Sequence, residues 1–299
     1  MKVIIQHNFN TGLGDFYSDL CQIIDTCTPL KEKGYEIHFK ISLQKNKYLN
    51  YPFFKEIFDE ETINFFDSVE ETPWSDTRRT IDGCDYYASI HNPQDPGIHH
   101  WDVFIDEKDV KINMEIYDAN KVNNLNRLPK CRPNFNREIL EMAENFSKTL
   151  PEDYQFLHVR IHDNANANVD KYLNLINDIK TYLDKTGIKC HLGSNNKFLL
   201  NQLIKHPNIF TFDFDYFEKL DNDMNSFWFW GGNLQQKSDN PILIERVKKI
   251  LAEMISIKNS KRIILYSDMN WISNFLFYAM VNSESRKELI GFHHAKNTE

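Results

Sequence analysis

The sequence has no apolar run that approaches the ~20 residues of a membrane-spanning helix. Its last long apolar stretch, Trp271 to Val281, is broken by Ser273 and Asn274. At the start, Met1-Lys2-Val3-Ile4-Ile5-Gln6-His7 carries too short an apolar run for a signal peptide and reads as a strand. Positive charge is in deficit, with a formal net charge of −8. That excludes general affinity for nucleic acid or an anionic membrane surface, which need a basic footprint. It leaves room for a local pocket, since one or two Arg side chains can clamp a small phosphate. Cysteine is sparse: five residues, at 21, 27, 84, 131 and 190, with no C-x-x-C spacing. An odd, scattered set gives neither a disulfide framework nor a zinc site, and a reducing cytoplasm is the simpler setting. No repeat or low-complexity tract is present.

Several catalytic signatures are missing too. There is no G-x-S-x-G elbow, which disfavours a triad hydrolase, and no Gly-Lys-Ser/Thr phosphate loop. Gly12-Leu13-Gly14-Asp15 is not a dinucleotide fingerprint, because Tyr17 stands where the third glycine belongs. Asp213-Phe214-Asp215 fits Asp-x-Asp formally, but sits among Glu218, Asp221 and Asp223 and reads as an acidic surface loop. No metal is expected.

What is present is an ordinary globular composition, 41% apolar and 26% charged, over 299 residues. That length suits two lobes of roughly 150 residues each. Val3-Ile5, a glycine turn, a helix with Phe16, Leu20, Ile23, Ile24 and Leu30 inward, Gly34, and the alternating strand Tyr35–Ile41 form a βαβ opening. A parallel sheet is the consequence. Phe53 to Phe58 reads as a short helix. The stretch from Glu70 to Trp101, with Pro73, Pro93, Pro96 and Gly97, reads as irregular. A helix spans 134–150, and Pro151-Glu152-Asp153 reads as a lobe boundary, giving lobes 1–150 and 151–299. A second α/β series follows: strand Phe156–Ile161, helix Val169–Lys185, strand Gly187–Leu192, a turn Gly193–Asn196, helix Lys197–Lys205, strand Ile209–Phe212, helix Pro241–Ile257 and strand Lys261–Tyr266. Ser267 to Trp271 then opens a helix to Val281.

Four polar turns lie at strand ends, where open α/β sheets bind ligands. In His158-Val159-Arg160-Ile161-His162-Asp163, alternation puts His158, Arg160 and His162 on one face. An Arg flanked by imidazoles suits a bidentate grip on phosphate; the plainer alternative has Arg160 pair with Asp163 and tie the loop. Ser267-Asp268-Met269-Asn270-Trp271-Ile272-Ser273 offers helix-start N–H groups to an anion, or simply a cap over a buried Trp271. Gly193-Ser194-Asn195-Asn196 offers hydroxyl and amide groups that could read a base edge. Gly12 and Gly14 allow close approach of a ligand to the backbone, and Asp15 sits near the helix start. His99-His100-Trp101 could contact an acceptor or be plain surface. The aromatic run Asn225–Gly232 could stack on sugars or pack between lobes.

In order and spacing these four elements resemble the fucosyltransferase superfamily of GT-B glycosyltransferases. His158-Val159-Arg160-Ile161 is similar to that family's His-x-Arg-Arg motif, with the aliphatic second position of the protein O-fucosyltransferases. Leu192–Asn196 resembles a strand followed by Ser/Thr-Asp-Asp. Tyr266–Ser273 resembles a strand with a Ser-rich turn and aromatic helix start, and Gly12–Asp15 resembles Gly-x-Gly-Asp/Asn. The resemblance implies two Rossmann-like lobes with parallel sheets and an inter-lobe cleft, a GDP-fucose donor, a glycan or other hydroxyl acceptor, inversion and no metal. It implies Arg160 on the β-phosphate, His158 and Asn195 near guanine and ribose, Ser267 to Ser273 on the phosphates, and Asp15 facing the acceptor hydroxyl. One departure bears on the donor: Asn195 and Asn196 stand where the family pairs an acid with guanine, and an amide offers a single acceptor atom. A transferase using another nucleotide sugar, a non-catalytic nucleotide- or sugar-binding protein, and a two-lobed phosphatase stay open on the residues alone.

Overall fold

A computed structural model describes residues 1–9, 13–43, 53–73, 85–92, 95–105, 132–160, 169–194, 197–212, 241–267 and 288–293. Its contacts divide the chain into two units, one centred on Met1–Ile139 and the other beginning at Leu140. Each is built on its own five-stranded sheet.

The first sheet runs β3-β2-β1-β5-β4, with β1 Lys2–Phe9, β2 Glu36–Leu43, β3 Ser68–Pro73, β4 Asp85–Asn92 and β5 Asp95–Ile105. β1 is central, and Val3, Ile4, Ile5 and His7 are all buried, as a strand covered on both faces requires. β1, β2 and β3 are parallel, and helix α1 (Leu13–Glu32) joins β1 to β2. Phe16, Leu20, Ile23, Ile24, Cys27 and Leu30 of α1 are buried at helical spacing, as the periodicity predicts. Gly34, at φ +86°, ends the turn after α1 in a conformation that side chains avoid, and its N–H donates to the Lys31 carbonyl. Two short helices follow, α2 (Phe53–Ile57) and α3 (Glu60–Asn64), the second capped by Asp59. Phe39, Phe54, Phe58, Phe66 and Phe135 pack ring against ring around Phe16.

The described residues of the stretch expected to be irregular are instead strand. β5 lies antiparallel to β1 on one side and to β4 on the other. Pro96 and Gly97 sit at the start of β5, where a missing ladder donor is tolerated. Register shifts between β4 and β5 absorb the mismatch of the two strands. His99, His100 and Trp101, read as a loop, are residues of β5, and Trp101 pairs with His7 of β1.

The second sheet is parallel throughout, in the order β10-β9-β6-β7-β8. Its strands are β6 Gln155–Arg160, β7 Cys190–Ser194, β8 Ile209–Phe210, β9 Arg262–Ser267 and β10 Glu288–His293. The helices are α4 (Arg137–Ser147), α5 (Val169–Thr186), α6 (Lys197–Leu203) and α7 (Pro241–Ile257). The helix expected over 134–150 is trimmed because the Asn136 side chain accepts from the Ile139 N–H and starts it. Gly193 and Ser194, expected in a turn, are the last residues of β7, and Ser267 is the last residue of β9. β10 has no counterpart in the sequence reading. Leu157 and Val159 of β6 pack with Leu175, Ile176, Ile179 and Leu203 of α5 and α6. The opposite face receives Glu253 and Ser256 of α7 and Phe146 of α4. No helix among the described residues is long and apolar enough to cross a membrane.

Burial pushes the thiols of Cys27 and Cys190 up from 9.0 to about 12. In the unfolded chain they ionise near 9.0, so between there and about pH 12 the unfolded chain releases protons that the native chain keeps. The favourable contribution is complete below pH 9 and is lost as the pH rises through this window. Urea midpoints should therefore fall above pH 9, and Cys27→Ala should flatten the fall. Equal slopes in both proteins would contradict a sealed Cys27.

Candidate functional site

In the second sheet the strand order reverses between β6 and β9. From β6 the chain proceeds to β7 and β8 on one side, then returns to β9 and β10 on the other. This is the doubly wound order, and the carboxyl ends of the two strands at the reversal are where such sheets bind ligands, because the loops leaving them diverge. Arg160 ends β6 and Ser267 ends β9, and the two are paired across the parallel ladder. Ser194 ends β7 and pairs with Val159. Three of the strand ends singled out in the sequence therefore meet at one end of one sheet. Asp163, Asn195, Asp268, Asn270, Trp271 and Ser273 belong to the segments that follow these strands and lie outside the described residues. So do Gly12, the helix expected from Ser267 to Val281, Asp213-Phe214-Asp215 and the aromatic run 225–232.

His158 is described and buried, at 7% exposure. Its ring stacks on Phe156, with centroids 5.9 Å apart and an interplanar angle of 30°. On the same face, one strand over, His191 meets the edge of Phe156 at 5.0 Å. His191 Nε2 donates to Glu253 Oε1 at 3.3 Å, and both residues are buried. Tyr154 closes the far end of the row: its hydroxyl donates to the Ser256 carbonyl at 2.6 Å, and burial raises its ionisation well above the ordinary phenol value. The face of β6 opposite its apolar core is thus a packed polar–aromatic layer that ends at Arg160.

The first unit has its own strand-to-helix turn after β1. Gly14 and Asp15 stand in the first turn of α1. His7 of β1 and Asp19 of α1 bracket this turn. His7 Nε2 donates to Asp19 Oδ2 at 2.9 Å with both side chains buried, and the imidazole meets Phe16 edge-on. Neither this pair nor His191–Glu253 was picked out from the sequence. The available signal was that His7 continues the alternation of Val3 and Ile5, and that His191 falls within the apolar run that forms β7. Among the described residues no cluster of His, Cys, Asp and Glu could hold a metal ion.

No protein-family model matches the chain, and no characterised protein matches it by sequence. Solved structures do match. The NodZ α-1,6-fucosyltransferase soaked with GDP-fucose aligns at a TM-score of 0.50 with 13% identity, covering 95% of this chain and 93% of that one. The fucosyltransferase NodZ from Bradyrhizobium aligns at 0.48 with 14% identity, covering 93% of each chain. The chain therefore has the GT-B fold, an α/β architecture with one mixed and one wholly parallel sheet, similar to that of NodZ over nearly its whole length.

Glu253→Ala leaves a buried imidazole nitrogen of His191 without its acceptor. A loss of about 1–3 kcal/mol is expected in urea unfolding. A cost below about 0.3 kcal/mol would mean that the pair does not brace the layer.

Proposed function

We propose that this chain is an inverting, metal-independent glycosyltransferase that moves a sugar from a nucleotide sugar, with GDP-fucose the favoured donor, to a hydroxyl of a glycan or other acceptor. The observation that carries this reading is the pairing of Arg160 with Ser267 at the strand-order reversal. The likeness in fold to a fucosyltransferase soaked with GDP-fucose supports it. In this reaction the acceptor oxygen attacks the anomeric carbon from the face opposite the nucleotide. The bond from that carbon to the β-phosphate oxygen breaks, GDP leaves with the electron pair, and the acceptor proton passes to a base.

Arg160 is assigned to the β-phosphate, where fixed positive charge offsets the negative charge that develops on departure. Residues Ser267, Asp268, Asn270, Trp271 and Ser273 are assigned to the phosphates. Gly12, Gly14, His158, Asp163, Ser194 and Asn195 are assigned to the rest of the donor, with His158 and Asn195 toward guanine and ribose. Asp15 is assigned to the acceptor hydroxyl, and His99, His100 and Trp101 to further acceptor contacts. Residues 1–150 form the acceptor lobe and 151–299 the donor lobe in this reading, and the protein works in the cytoplasm.

A second reading, a nucleotide- or sugar-binding protein without transfer, is favoured by Asn195 and Asn196 standing where guanine recognition calls for an acid. A thermal-shift series with GDP, UDP, CMP and ADP, run beside a donor-hydrolysis panel, separates the two, because a ligand of the native state raises its stability. GDP stabilisation with GDP-fucose turnover is expected. Binding without turnover supports the second reading, and turnover of another donor alone removes the GDP-fucose assignment. Arg160→Ala should lower kcat by about 10²-fold, on the order of 3 kcal/mol, as for loss of one preorganised donor at a developing charge. Turnover within about threefold of the parent would remove Arg160 from its role.

A further inference from the structure

Gly193 stands opposite His158 in the β6–β7 ladder. A Cβ at this position would lie 2.7 Å from Cζ and 3.1 Å from Cε2 of Phe156, and 3.5 Å from Glu253 Oε1. Carbon atoms that are not bonded do not approach so closely, so the Phe156 ring fills the space that a side chain at 193 would need. The requirement is spatial: among the described residues the glycines with positive φ are Gly34 and Gly187, and Gly193 is not one of them. Nor can the ring swing aside freely, because Phe156 is fully buried between His158 and His191. Its far side is held by His191, which Glu253 of α7 fixes in turn. Gly193, Phe156, His191 and Glu253 form one packed row beside the imidazole of His158, two residues before Arg160.

We infer that Gly193 and Phe156 are positioning residues for the nucleoside diphosphate of the donor, acting through His158; this rests on the transferase reading above. Overpacking at Gly193 displaces the Phe156 ring, and the imidazole stacked on it moves with it. The consequence falls on donor binding as well as on stability, which separates it from an ordinary core defect.

The test measures GDP dissociation constants by calorimetry and donor KM and kcat for four variants beside the parent. Gly193→Ala should raise the GDP Kd and the donor KM about tenfold, with a smaller change in kcat. Adding Phe156→Leu to it, which vacates the contested space, should recover most of that loss. Phe156→Leu alone removes the stacking partner without adding bulk and should weaken GDP about threefold, so the inference stays testable if Gly193→Ala fails to fold. Leu183→Ala, on the opposite, apolar face, should lower stability and leave the GDP Kd unchanged. The inference is overturned if Gly193→Ala or Phe156→Leu binds GDP like the parent, or if Leu183→Ala weakens GDP as much as Gly193→Ala. Failure of the parent to bind any nucleoside diphosphate would instead remove the transferase reading, and this inference with it.

Discussion

The parallel ladder between β6 and β9 is the constraint on which the second unit depends. Both strands are central, so both must be covered on two faces, and their sequences comply: Leu157, Val159, Ile263 and Ile264 are all buried. Their side-by-side position sets the reversal of strand order, and the reversal brings Arg160 beside Ser267. A shift of one residue along this ladder would turn every inward side chain of β6 to the other face. The apolar row would then lie against Glu253 and His191, and the polar row would enter the packing of α5 and α6. The chemistry proposed at the strand ends is thus coupled to hydrophobic alternation several residues upstream.

The two faces of that sheet are built on different principles. One is a mostly aliphatic layer from the strands, α5 and α6, in which shape chiefly decides the fit. The other mixes rings with a buried carboxylate–imidazole pair, and so demands direction as well as shape. Directional contacts inside a low-dielectric layer tolerate little displacement, because a misplaced polar group is left without a partner. Such a layer gives rigidity beneath the strand ends that the proposed function assigns to phosphate.

Much of this architecture was legible in the chain. The apolar runs of β1 and β6, the helical spacing of α1, α5 and α7, and the glycine after α1 each follow from local rules that packing then endorsed. The hairpin of β4 and β5 was not legible, because Pro93, Pro96 and Gly97 signal a turn while pairing with β1 and β4 supplies what local propensity lacks. β10 is short and contains Gly291, so its strand character comes from lying against β9. The strand ends of the candidate site could be named from alternation and turn residues, but their convergence needed the strand order. The buried pairs were beyond reach: His191 and Glu253 are separated by 62 residues, and only the placement of α7 brings them together.

The same strand order bears on how the chain is made. β6 finds β7 across a single helix, but its other neighbour, β9, follows roughly a hundred residues later, and distant pairings of this kind form slowly. During synthesis one flank of β6, with its row of backbone donors and acceptors, stays open until β9 leaves the ribosome. Overproduction at low temperature, or with a holdase present, should then matter more for soluble yield than any change to the surface. The most exposed moment of this protein is an interval of its own translation.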